Sequence, residues 1–163
     1  MTATTEVYVG LGSNLGDRAA NLWEALRRLA DTRGCHVTRL SRLYESAPIG
    51  PQDQDWFVNA VVAAEVDLTP HALLACAKEI EQQMGRAPSA RWGPRLIDID
   101  LLLFGDAEIN TDDLVIPHRE LWNRRFVMLP LAELLPSGAL LDGVEKRLIE
   151  LGEEQEVRTT LSK

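Results

Sequence analysis

Residues 91–105 read Arg91-Trp92-Gly93-Pro94-Arg95-Leu96-Ile97-Asp98-Ile99-Asp100-Leu101-Leu102-Leu103-Phe104-Gly105. The second half has the character of a strand: Ile97 to Phe104 is apolar and β-branched apart from two acids, and Gly105-Asp106 supplies a turn. Side chains alternate along a strand, so Asp98 and Asp100 are expected on one face, about 7 Å apart. Leu102 and Phe104 continue that face, and Ile97, Ile99, Leu101 and Leu103 take the other. This is the pattern of a strand covered on both sides, with two carboxylates at its entrance. Two such acids beside a core repel each other and lose hydration, which a cation compensates. Side-by-side oxygens suit Mg²⁺, which takes one or two carboxylates and completes its shell with water and substrate phosphate. The bare Asp-x-Asp pattern equally fits strand-end acids paired with Arg91 or Arg95. The three arginines Arg86, Arg91 and Arg95 precede the pair with no acid between them. Guanidinium forks beside a dication site suit a polyphosphate.

Working outward, the chain has 163 residues, 45% hydrophobic and 26% charged, the profile of a single soluble globular domain spanning 1–163. Its net charge of −8 argues against broad nucleic-acid binding, and a local basic cluster in an acidic protein favours a small anionic ligand. Cys35 and Cys76 have neither CxxC spacing nor a disulfide framework and read as reduced thiols. No stretch approaches the length of a membrane span, and the N-terminus lacks a basic, then apolar, leader. A cytoplasmic protein without membrane or nucleic-acid partners is expected.

Val7 to Leu11 is a short apolar strand. Residues 12–17 are a turn in which Asp17 is positioned as an N-cap, followed by a helix with Leu22, Ala25, Leu26 and Leu29 at helical spacing. Gly10-x-Gly12 is a strand-to-helix turn rather than a dinucleotide fingerprint, because the next glycine, Gly16, comes one residue late. Cys35 to Ser46 reads as one strand. Residues 47–55, with Pro48 and Pro51, form a stiff loop. In the strand Trp56 to Val66, Phe57 and Asn59 share a face. An aromatic plane beside an amide suits a flat heterocycle, but spacing alone favours a core residue at Phe57 and a turn cap at Asn59. Thr69-Pro70 opens a helix with Leu73, Leu74, Ala77, Ile80 and Met84 on its buried stripe, stopping at Gly85. Glu81 lies beside that stripe and by residue type is a solvated acid; His71, in the first turn, is exposed. Further on, 119–122 is a helical turn, and Phe126 to Leu135 is an apolar helix after the basic pair Arg124-Arg125. Residues 144–151 are a peripheral helix, and the polar tail from Gly152 frays. The order strand, helix, strand, strand, helix, strand predicts an α+β fold with a ferredoxin-like core. Its mainly antiparallel sheet is covered by helices on both faces, in three α/β/α layers.

Four ordered motifs carry a resemblance over nearly the whole chain. They are Gly12-Ser13-Asn14-Leu15-Gly16, residues 46–54 with Phe57-x-Asn59, Arg91-Trp92-Gly93-Pro94-Arg95-x-x-Asp98-x-Asp100, and Pro117-His118 through Asn123-Arg124-x-Phe126. In these the chain resembles the 6-hydroxymethyl-7,8-dihydropterin pyrophosphokinase family of folate biosynthesis. The resemblance implies transfer of the terminal diphosphate of MgATP to the pterin's hydroxymethyl oxygen, with release of AMP, by a monomer acting on two small-molecule substrates. It implies that Asp98 and Asp100 hold two Mg²⁺ ions and that Phe57 and Phe126 sandwich the pterin. Asn59 and groups around Ser46, Pro48 and Ile49 bind the pterin's edge. Arg95, His118 and Arg124 contact the triphosphate, and Glu81, Ile99 and Arg86 line the nucleotide side. Trp92 belongs to a closing loop, and Arg86, Trp92 and Arg95 count with the two aspartates as catalytic. Residues 87–90 are shorter than is usual in the family and carry no charge, which implies a slower or weaker-closing lid. Arg119 and Val115 also depart from the family pattern. Two other readings fit parts of the sequence: a nucleotidyltransferase of the Gly-Ser…Asp-x-Asp kind, and a pterin-binding protein without catalysis.

Overall fold

The computed structural model describes residues 3–48, 54–85 and 96–160. The order is β1 (Thr5–Ser13), α1 (Arg18–Ala30), β2 (Cys35–Leu40), β3 (Tyr44–Ser46), β4 (Phe57–Val66), α2 (Pro70–Gln83), β5 (Asp98–Phe104), β6 (Ile109–Asn110) and β7 (Val115–Ile116). A 3₁₀ turn (Leu121–Asn123), α3 (Arg125–Leu134), α4 (Ala139–Leu151) and β8 (Val157–Thr159) complete the chain. Both long helices on the first face start as their sequences dictate. Asp17 accepts from the Ala20 N–H and Thr69 from the Ala72 N–H, with Pro70 just inside α2.

The main sheet runs β5-β1-β4-β3-β8, with β2 also on β4, and its pairings are all antiparallel; β6 and β7 form a separate pair. Alternation along β4 divides the core in two. Val58, Ala60, Val62 and Ala64 pack with Leu22, Ala25 and Leu29 of α1 and Leu73, Ala77 and Ile80 of α2. Val61 and Ala63 pack with Val127, Met128 and Leu131 of α3 and Val144 of α4. The helix–sheet–helix sandwich expected from the element order is therefore present, with the ferredoxin-like strands in the order β5-β1-β4-β2.

Four expectations are corrected. First, 35–46 is two strands. The Ser41 hydroxyl accepts from the Val61 N–H at 2.9 Å, taking a backbone position in the ladder, and the chain bends there before β3. Second, β5 does not alternate to its end. Tyr8 pairs with Leu103 and Val9 with Leu101, so Leu102 is an extra residue, a β-bulge. Leu102 and Leu103 both face α3 and α4, and Phe104 faces α1 and α2, which exchanges the sides expected of Leu103 and Phe104. Third, Gly10 and Gly12 lie within β1, not in a turn. Fourth, residues 157–159 are not a frayed tail: they form β8, which pairs with β3, and the helix before it starts at Ala139.

Candidate active site

The register assembles the site on the sheet face that looks toward α3. Gly12 stands between Asn59 on β4 and Asp98 on β5, and Gly10 stands between Val61 and Asp100. Strands lie about 4.8 Å apart, so Asn59 and Asp98 are roughly 10 Å apart across a strip of bare backbone. An ideal Cβ on Gly12 would come to 3.0 Å from the Asn59 Oδ1 and 3.6 Å from the Phe57 ring, so any larger residue there needs the Asn59 amide to shift by a few tenths of an ångström. On Gly10 it would meet only the Leu102 side chain, at 3.6 Å.

This strip floors a cleft of about 300 Å³ whose walls include Ser46, Phe57, Asn59, Asp98, Asp100, His118, Arg124 and Phe126. Asn59 is 5% exposed, and its Nδ2 donates to the Ser46 Oγ at 2.7 Å, which fixes the amide in the strand rather than at a turn. Phe57 is half-buried and faces the cleft, not the core. Phe126 lines the same cleft from the start of α3, with the Arg124 guanidinium 5.7 Å from its ring centroid. Among the described lining residues Ala47 takes the place expected of Pro48, which is buried.

A second chamber of about 310 Å³ adjoins the first and shares Asp98, Asp100 and His118 with it. Its described walls carry five carboxylates (Glu81, Asp98, Asp100, Asp112 and Asp113) against two cations (Lys78 and Arg119). Ile99 lines it from β5, and Val115 lines it from β7. Glu81 is not a solvated acid: it is 6% exposed and accepts from the Ile99 N–H at 2.8 Å. β5 is an edge strand, so that N–H would otherwise be an orphan donor.

His118 reaches the junction because of the bulge: its N–H donates to the Leu102 carbonyl at 3.0 Å. The ring Nδ1 accepts from the Glu120 N–H at 3.1 Å, which leaves the proton of a neutral ring on Nε2, 3.9 Å from the Asp100 Oδ1. Burial, first, holds its pKa below the ordinary histidine value; Asp100 opposes that shift and Arg124 adds to it.

Among the described residues no three His, Cys, Asp or Glu side chains gather as a metal cage. Two carboxylates at the meeting of two chambers are the donor set of a hard dication that completes its shell with substrate oxygens, so Asp98 and Asp100 fit Mg²⁺. The described wall of the second chamber is acidic, so an anionic ligand there would need cations to offset its charge. The expected contributions of Ile49, Arg86, Trp92 and Arg95, and the arginine Arg91, fall outside the described residues, as does the uncharged segment 87–90. Motif reading places Gly10-x-Gly12 in a turn and quotes Gly12 in a family motif, but assigns neither glycine a place on the floor of the cleft. Their signal was present as two glycines at strand spacing, and it needed the neighbouring strands to acquire meaning.

The sequence model of the 7,8-dihydro-6-hydroxymethylpterin-pyrophosphokinase (HPPK) family matches residues 8–136. A 2-amino-4-hydroxy-6-hydroxymethyldihydropteridine pyrophosphokinase of Methylorubrum extorquens is 49% identical over 132 residues, 81% of this chain and 84% of that one. The Bacillus subtilis protein of the same name is 42% identical over 78% of this chain and 76% of its own length. A mitochondrial folate synthesis bifunctional protein of Pisum sativum is 47% identical over 82% of this chain, which spans 26% of that protein. A solved HPPK-DHPS structure shares the fold, with a TM-score of 0.71 at 14% identity, over 94% of this chain and 45% of that one.

Proposed function

The chain belongs to the 7,8-dihydro-6-hydroxymethylpterin-pyrophosphokinase family, and from that premise we propose how its residues divide the work of a diphosphate transfer from ATP to the hydroxymethyl group of a reduced pterin. The observation that carries the reading is the pair of chambers that meet at Asp98, Asp100 and His118. The first takes the pterin. Phe57 and Phe126 offer two aromatic faces to a flat ring, and Asn59, held by Ser46, presents an amide of fixed orientation to its edge. The second takes the nucleotide, with Glu81, Ile99, His118 and Arg119 on its described walls. Arg86, Trp92 and Arg95 are assigned to its phosphates and closure by family likeness alone.

The hydroxymethyl oxygen attacks the β-phosphorus, the bond from that phosphorus to the α–β bridging oxygen breaks, and AMP leaves with the electron pair. The residues named here act by positioning and by electrostatics rather than by covalent participation. Asp98 and Asp100 would hold Mg²⁺, two ions in the fullest form of the proposal, which supplies neutralisation of phosphate charge and acidification of the attacking hydroxyl. Neutral His118 offers its Nε2–H to a phosphate oxygen without needing to titrate. Arg124 offers charge at the boundary between the aromatic wall and the junction. Asp100 is the carboxylate available to receive the hydroxyl proton.

A monomeric enzyme within a single domain is part of the proposal. The two free thiols, Cys35 and Cys76, support a cytoplasmic location. Mass spectrometry of the products tests the proposal. AMP with a diphosphorylated pterin is the expected pair. Pyrophosphate with a nucleotidylated acceptor would instead make it a nucleotidyltransferase, and bound, unreacted pterin under saturating Mg²⁺ and ATP would make it a binding protein.

A further inference from the structure

We propose that the C-terminal segment 155–159 is a positioning strap for the pterin chamber, and that Gln155 sets the start of α3, from which Phe126 and Arg124 project. The inference rests on the pterin reading of the first chamber. The strap lies beyond residues 8–136, which carry the family likeness.

The argument begins with a missing cap. The N-cap of α3 is Arg124, and it makes no side-chain cap hydrogen bond. A guanidinium has only donors, so it cannot satisfy the first N–H groups of a helix. Gln155 does so from a distance of 30 residues: its Oε1 accepts from the Arg125 N–H at 2.8 Å. Its Nε2 donates to the Asn123 carbonyl at 2.9 Å, and its own carbonyl accepts from the Arg125 Nη1 at 3.0 Å. One residue thus grips the backbone on both sides of Arg124, next to Phe126.

The strap then crosses to the opposite wall. The Ala47 N–H donates to the Glu156 carbonyl at 3.1 Å, and Val157, Arg158 and Thr159 pair with Ser46, Glu45 and Tyr44. Ser46 and Ala47 line the chamber, and Ser46 holds Asn59. Arg158 locks this end. Its Nε lies 3.2 Å from the Glu45 Oε1, and its guanidinium lies 4.2 Å from the centroid of Trp56, the residue before Phe57. The strap therefore joins the Phe126 wall to the Ser46–Asn59 wall. No strap residue is among the described residues of the nucleotide chamber. Spacing between two stacking faces is a quantity to which ring binding is steeply sensitive, whereas the diphosphate chemistry proceeds at the other end of the strip.

The test uses the full chain with Gln155→Leu, Gln155→Glu and Arg158→Leu, and steady-state kinetics with each substrate varied. Gln155→Leu should raise the KM for pterin about tenfold and, because it also loosens Arg124, the KM for ATP by a smaller factor of about three. Gln155→Glu keeps the acceptor for the Arg125 N–H but loses the donor to the Asn123 carbonyl and sets a carboxylate oxygen against it, so its pterin KM should be raised as well. Arg158→Leu frees the other end without touching α3 and should move the pterin KM in the same sense, so it carries the test if Gln155→Leu does not fold. An unchanged pterin KM beside a lowered melting temperature would overturn the proposal, because a merely structural strand behaves that way. Equal rises in both KM values, or an ATP KM raised by Arg158→Leu as much as its pterin KM, would overturn it too. Direct titration of the wild type with reduced pterin separates the two levels: no binding there sinks the pterin reading itself, whereas wild-type binding with unaltered variants sinks only the strap.

Discussion

His118 sits where a carboxylate and a guanidinium pull its proton in opposite directions, and its Nδ1 is already engaged as an acceptor. Protonation would put a proton on that nitrogen and break the bond from Glu120. In the ligand-free protein, the His118 ring should therefore titrate below the ordinary value of 6.5. Asp100→Asn should lower it further and Arg124→Ala should raise it, since those charges act with opposite signs. Ring ¹⁵N NMR resolves this, as the chain has three histidines; a midpoint that ignores both substitutions would remove His118 from the junction. The sign for stability follows: with its folded value depressed, His118's contribution is complete above pH 6.5 and is lost as the pH falls through the folded value. The division of labour between side chains is equally testable. Asp98→Asn or Asp100→Asn should cut turnover by about 10² to 10³ or more while leaving pterin affinity nearly intact. Phe126→Ala should weaken the pterin by about 1–3 kcal/mol by calorimetry, the scale of ring stacking on an aromatic side chain. Equal loss of pterin affinity in both classes would contradict the two-chamber arrangement.

At the scale of elements, the glycines of β1 separate the two binding functions, and their tolerances should differ. Gly12→Ala forces a Cβ to within 3.0 Å of the Asn59 amide, which the bond to Ser46 holds in place. Gly10→Ala meets only a leucine side chain at 3.6 Å. Gly12→Ala should raise the pterin Kd by about tenfold or more, from the scale of a disturbed buried polar contact, and Gly10→Ala should affect the Kd less. Identical binding isotherms for the two would show that the amide can give way. These elements also mark what was legible beforehand. The caps Asp17 and Thr69, the two faces of β4 and the aspartate pair followed from local chemistry and from alternation. The bulge at Leu102 did not, because three leucines in a row carry no signal of which one is extra. The break at Ser41 depends on a partner 20 residues away, and β8 depends on β3, so polarity alone read that tail as loose. Glu81 was misread by residue type because its partner is a backbone N–H on another element.

At the scale of the whole molecule, the layer formed by α3 and α4 closes over two phenols that must stay neutral. Tyr8 donates to Glu6 and Tyr44 to Glu133, and each phenol, mainly through burial and then through its carboxylate partner, is pushed up from 10 to about 12. A raised folded value means that the stabilisation is complete below pH 10 and is lost as the pH rises through about 12. Denaturant melts between about pH 9 and 12 should therefore show a steep decline, and Tyr44→Phe should make it shallower. A decline of unchanged slope would mean that other groups govern alkaline unfolding. The net charge of −8 bears on nothing so local.

Suppose a single codon were lost in frame, so that the chain lacked Leu102. Leu101 and Leu103 would become neighbours, each already opposite its partner on β1 and already on its present side of the sheet. The shortened chain would keep its strand pairing but lose both the buried Leu102 side chain from the α3–α4 core and the carbonyl from which His118 hangs, so it should be less stable by about 2–5 kcal/mol as well as catalytically poor.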